Sequence, residues 1–168
     1  PGDAVVLESP TYLTAIDLLR GVGARLHGVP VGRDGVDVGA LAVAIERHAP
    51  SLVYLMPTYH NPVGGVLPEA ERAAVAALVG RWGCALVEDE ALADLAFGDE
   101  PPSTPIARWA PSVLTLGSMS KVFWGGLRVG WVRAPAEVVR RIGRLKAVAD
   151  IGSSLPSQVM AVRLLAGI

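Results

Sequence analysis
Lys121 and Arg128 stand seven residues apart and carry the strongest chemical signal in the chain. Lys121 closes the run Ser118-Met119-Ser120-Lys121, and Arg128 closes Gly125-Gly126-Leu127-Arg128. An amine fixed in a turn at a strand end, with its proton affinity lowered, is a nucleophile for carbonyl carbon. A guanidinium offers phosphate oxygens a rigid fork of donors, and hydroxyls such as that of Ser118 add further bonds. Sixty residues before the lysine, Asn61-Pro62-Val63-Gly64 offers an amide in a turn. Asp89 closes an apolar run with a carboxylate, between Glu88 and Glu90. Tyr12, in Pro10-Thr11-Tyr12, offers an aromatic face. Each has an ordinary alternative. Lone lysines are overwhelmingly solvated surface residues, and an acid at a strand end is as readily solvated. Asn-Pro followed by Gly64-Gly65 is common turn chemistry. A tyrosine near a helix start more often packs than binds.

These side chains need elements to place them. Short apolar runs bounded by turn residues predict strands over 4–7, 25–31, 51–56, 85–89, 113–116 and 129–132. Between them lie helical patterns. Residues 11–21 carry Leu13, Ile16 and Leu19 at helical spacing. Asp37 caps a helix holding Leu41 and Ile45, which ends by Pro50. Pro68, Glu69, Glu71 and Gly83 frame a third helix. Two more helices are expected over 135–149 and 156–165, and the least regular stretch is 98–105. Strands alternating with helices, and apolar on both faces, predict a three-layer α/β/α fold around a mostly parallel sheet. Ligands in such folds gather beyond the carboxyl ends of the strands. Tyr12, Asn61, Asp89 and Ser118 all fall at or just after predicted strand ends.

Composition narrows the function classes. Of 168 residues, 51% are hydrophobic and 18% charged, below the usual charged share of about 25%. That balance suits a buried parallel sheet, or a piece with apolar surface that further chain would cover. A net charge of −1 gives no global field for nucleic acid or an anionic membrane. No apolar run approaches the ~20 residues of a membrane span, and no signal-peptide pattern opens the chain. A cytoplasmic protein is expected. Cys84, the one cysteine, reads as a small buried strand residue. His27 and His48 have no partner at ligand spacing, so no metal site is expected, and His60 reads as a neighbour of the Asn61 turn. The start at Pro1, without Met, predicts a segment of something longer.

The order Asn61, Asp89, Ser118, Lys121, Arg128 resembles the cofactor site of fold-type I pyridoxal phosphate (PLP) enzymes of the class I/II aminotransferase group, over nearly the whole chain. The resemblance implies that 1–168 is part of a PLP-binding large domain, without its upstream phosphate loop and its C-terminal small domain. It implies that Lys121 holds PLP as a Schiff base and moves the substrate proton as a catalytic residue. Asp89 would pair with the pyridine nitrogen and sustain its electron sink, the second catalytic role. Ser118 and Arg128 would bind the phosphate, Asn61 the phenolic oxygen, and Tyr12 would cover the ring. Many relatives carry a tyrosine three residues after the aspartate as a second donor to the phenolic oxygen; here Leu92 stands there.

Two activities follow from the resemblance. One is transamination between an amino acid and a 2-oxo acid, in a homodimer whose sites form between subunits. The other is PLP sensing in a MocR-type regulator of the GntR family, with DNA bound by a domain outside these residues. The segment alone is expected to be inactive. Two competing motifs fail. Ser118-x-x-Lys121 also matches serine β-lactamases, but Ser-Asp-Asn and Lys-Thr-Gly are absent. Gly21-Val22-Gly23 ends a helix and lacks the third glycine of a dinucleotide fingerprint.

Overall fold
The computed structural model describes residues 1–95 and 103–167. Among the described residues seven strands form one sheet, in the order β3-β2-β1-β4-β5-β6-β7. They are β1 (Ala4–Ser9), β2 (Arg25–Gly32), β3 (Gly35–Val36), β4 (Leu52–Leu55), β5 (Ala85–Asp89), β6 (Leu114–Ser118) and β7 (Gly130–Arg133). The pairs from β2 through β6 are parallel, while β3 and β7 pair antiparallel at the two edges. Six α-helices accompany them: α1 (Leu13–Gly21), α2 (Val38–His48), α3 (Glu69–Trp82), the single turn α4 (Met119–Val122), α5 (Ala136–Ala149) and α6 (Leu155–Leu165).

Strand pleating sorts the core into two faces. Val6, Val53, Leu55 and Leu86 point to one side, against Leu41 and Ile45 of α2 and Val75, Ala76 and Val79 of α3. Val5, Leu7, Tyr54 and Met56 point to the other, against Ile16 and Leu19 of α1. The predicted layers therefore hold. The caps hold too: the Asp37 carboxylate accepts from the Ala40 N–H at 2.9 Å, and Gly83 ends α3 in the left-handed region at φ 66°.

Some expectations need correction. Leu13 is exposed, because α1 lies over its sheet face with Ala15, Ile16 and Leu19. Cys84 precedes β5 and is half-buried, so it is not a strand residue. The two-residue β3 was not expected; it closes a hairpin onto β2. Of the stretch 98–105, residues 98–102 lie outside the described residues. Leu145, Val148, Ile151 and Leu155, at the end of α5 and start of α6, are exposed apolar side chains. Among the described residues no helix is long and apolar enough to cross a membrane, and no three His, Cys, Asp or Glu side chains cluster as metal ligands.

Candidate active site
The chain runs from β1 outward to β2 and β3, then returns to place β4 on the other side of β1. A crevice opens at such a switch point, beyond the strand carboxyl ends. Tyr12 follows β1, Asn61 follows β4, Asp89 ends β5 and Ser118 ends β6.

Alternation along β5 decides which of three consecutive acids faces the crevice. Leu86, Glu88 and Glu90 share the face covered by α2 and α3, and there both acids are used internally. Glu88 accepts from the Ile106 N–H at 2.6 Å, the Ala107 N–H at 3.1 Å and the Thr115 hydroxyl at 2.6 Å. Glu90 accepts from Arg72 at 3.1 Å. Asp89 alone points to the opposite face. One of its oxygens accepts from the Ala91 N–H at 3.0 Å, the other from the Tyr54 hydroxyl at 2.7 Å. Burial, and then the Asp89 charge, push the Tyr54 hydroxyl far above its ordinary pKa, so it remains a donor.

Antiparallel pairing of β6 with β7 gathers the next three residues. Ser118 lies opposite Gly130, and the Met119 N–H donates to Val129 O at 3.0 Å, closing the connection 119–129 at its base. Lys121 rides on α4, one turn after Ser118, and Arg128 returns beside it. Met119 and Leu127 are buried beneath this connection against Ala161 of α6, which gives it a small core of its own. Arg128 occupies the left-handed region at φ 52°. A non-glycine residue there costs about 1–2 kcal/mol, a strain typical of functional turns. In the Asn61 turn the left-handed position falls on Gly64, at φ 77°, where no Cβ penalty arises.

All six expected residues, Tyr12, Asn61, Asp89, Ser118, Lys121 and Arg128, line one cavity of about 280 Å³. Met56, Ala91, Leu92, Ser120 and Gly125 complete its wall. Lys121, Asn61, Arg128 and Tyr12 are exposed, so the cavity opens to solvent, while Asp89 and Ser118 are half-buried. Its donor set is asymmetric. A guanidinium, two hydroxyls and an amine meet a carboxylate fixed by two donors, with an amide and a phenol ring beside them. That combination fits PLP, which brings a phosphate, a carbonyl carbon, a ring oxygen, a basic ring nitrogen and a flat face. Sequence reasoning missed Tyr54 and Ser120. Ser120 lies within Ser118-Met119-Ser120-Lys121, where its hydroxyl is as legible as that of Ser118. Tyr54 gave no signal, since a tyrosine in an apolar run reads as core.

The family model for class I and II aminotransferases matches residues 1–167. The 2-aminoadipate transaminase of Thermus thermophilus is 37% identical over 98% of this chain and 42% of its own length. The uncharacterized HTH-type transcriptional regulator YisV of Bacillus subtilis is 34% identical over 97% of this chain and 34% of its own length. Among solved structures, LysN, the α-aminoadipate aminotransferase of Thermus thermophilus complexed with N-(5'-phosphopyridoxyl)-L-leucine, superposes with a TM-score of 0.88. Its identity is 35%, over 98% of this chain and 43% of that one. The chain thus spans less than half the length of each of these relatives. With the match running almost end to end over a fold whose switch point gathers a lysine, an arginine and an aspartate, the chain belongs to the class I and II aminotransferase family.

Proposed function
We propose that this chain forms part of the PLP-binding large domain of an aminotransferase that moves an amino group between an amino acid and a 2-oxo acid. The observation that carries the reading is the single cavity in which Lys121 shares a wall with Arg128, Ser118, Asn61, Asp89 and Tyr12. When bound, PLP supplies a carbonyl carbon that takes up amines and a protonated ring that draws electrons from the adjoining carbon. Ser118 and Arg128 anchor the phosphate with charge-assisted donors. The Asn61 amide donates to the ring oxygen, and Tyr12 covers a ring face. The Asp89 carboxylate, held by Tyr54 and Ala91, keeps a proton on the ring nitrogen. Lys121 Nζ accepts the proton from the substrate α-carbon and, as ammonium, is the acid for its return. The intact protein is read as a cytoplasmic homodimer.

A second reading is favoured by Leu92, which lines the cavity where a tyrosine donor is expected, and by the 34% identity to a transcriptional regulator. In it the same residues bind PLP as a signal, and DNA is bound by a domain beyond this chain. One experiment separates the two. The intact protein, of which this chain is part, is loaded with PLP and mixed with single amino acids, and the 2-oxo acid formed per site is counted, beside Lys121→Ala. Transamination gives up to one 2-oxo acid per site, slowed ~10²–10⁴-fold in the variant. Bound PLP without 2-oxo acid supports the sensor, and failure to bind PLP contradicts both.

A further inference from the structure
Glu8, at the end of β1, and His60, before the Asn61 turn, are both buried with 1% exposure, and neither lines the cavity. Met56 and Asn61 do line it, at the two ends of the segment that follows β4. One carboxylate reaches both ends. Glu8 Oε2 accepts from the Met56 N–H at 2.7 Å and stands 3.4 Å from His60 Nε2. The opposite edge of the imidazole holds the turn, because the Val63 N–H donates to His60 Nδ1 at 3.4 Å. The His60 backbone closes the same turn: its N–H donates to Gly65 O at 2.9 Å, and its carbonyl accepts from the Gly64 N–H at 2.5 Å.

An Nδ1 that accepts leaves Nε2 to carry the ring proton, and Nε2 faces the carboxylate. That contact is too poorly aligned to be a hydrogen bond. His60 Nε2 and Glu8 Oε1 both lack hydrogen-bond partners among the described residues, so the pair is electrostatic. What distinguishes the pair is what it holds in place.

We propose that Glu8 and His60 are positioning residues, pinning the segment 56–65 to the end of β1 so that Asn61 presents its amide to the cavity. The inference rests on the proposed contact of Asn61 with the ring oxygen of PLP. It is tested by PLP dissociation constants for the wild type, His60→Leu, Asn61→Ala and the double variant, together with His60→Gln. Each single loss is expected to weaken PLP about tenfold, the worth of one hydrogen bond. The double variant is expected to bind no more weakly than Asn61→Ala, because the histidine acts through the asparagine. Glutamine can donate to Glu8 and accept from Val63, so His60→Gln is expected to recover binding to within about threefold of wild type. Additive losses, or a glutamine variant as weak as the leucine one, would overturn the proposal. Nitrogen-15 NMR of His60 in the PLP-free wild type requires no variant to fold. An Nε2–H tautomer supports the pin and an Nδ1–H tautomer overturns it. A wild type that binds no PLP would instead sink the reading of the site, leaving the tautomer to decide the pin.

Discussion

The Asp89 carboxylate has one oxygen on the Ala91 N–H and the other on the Tyr54 hydroxyl, so its orientation is set before anything enters the cavity. Preorganised charge would act without reorganisation on the ring nitrogen proposed to bind there. Tyr54→Phe removes a donor to a charged, partly buried acceptor, and unfolding free energy is expected to fall by ~2 kcal/mol. A urea titration of both proteins checks this, and unchanged stability would mean that the contact holds nothing. Of the eleven residues that line the cavity, six were legible: five because their order along the chain is distinctive, and Tyr12 because it follows a strand and matches an aromatic of the family. Asp89 is favoured over Glu88 and Glu90 in the sequence because it closes the apolar run and matches the family order. The physical reason is pleating, which turns Leu86, Glu88 and Glu90 to one face and Asp89 to the other. Tyr54 was invisible because its meaning depends on a partner 35 residues away on a neighbouring strand.

At the scale of elements, the β6–β7 pair does most to assemble the cavity. Its register sets Ser118 against Gly130, and the eleven-residue connection between Ser118 and Gly130 folds Lys121 and Arg128 back over the strand end. The pair depends on close approach at Gly117, where an added Cβ would run into the Trp131 ring. Trp131 is partly exposed and its ring can turn aside, so Gly117→Ala is expected to cost ~1 kcal/mol, the low end of overpacking. Tryptophan fluorescence should shift with it; an unchanged spectrum and urea midpoint would show that the approach is not tight. Both strands were read from apolar runs, but their antiparallel pairing was not, because an edge strand reads like a central one. The single turn α4 and the two-residue β3 are too short to leave a periodic pattern. The left-handed Arg128 could not be inferred either, since arginine carries no preference for that region.

Across the whole molecule, Arg72 ties the helix layer to the strand ends. Its buried guanidinium donates to five acceptors: the carbonyls of Leu67, Pro57 and Thr104, the Thr58 hydroxyl and the Glu90 carboxylate. Burial outweighs the Thr58 hydroxyl and the Arg72 charge at Glu90, whose pKa is pushed up to about 7 from 4.5. Folded Glu90 therefore keeps a proton that the unfolded chain gives up near its ordinary pKa. The stability it contributes is full below pH 4.5 and is lost as the pH rises through 7. Unfolding free energy should fall by up to ~3 kcal/mol between those limits, and Glu90→Gln should flatten that part of the profile. Identical pH slopes in the two proteins would contradict it. The layered α/β architecture was readable because helices and strands alternate with clear breakers, whereas the Arg72 network joins segments far apart in sequence and has no local signature.

In the proposed function, Lys121 is the residue to which PLP bonds. The sequence holds only two lysines, and the other, Lys146, pairs with Asp150 on the exposed helix α5. Borohydride reduction of the PLP-loaded protein followed by peptide mass mapping reads the bond directly. The expected result is one phosphopyridoxyl group per chain, on Lys121 alone; a label on Lys146, or none, would contradict the account.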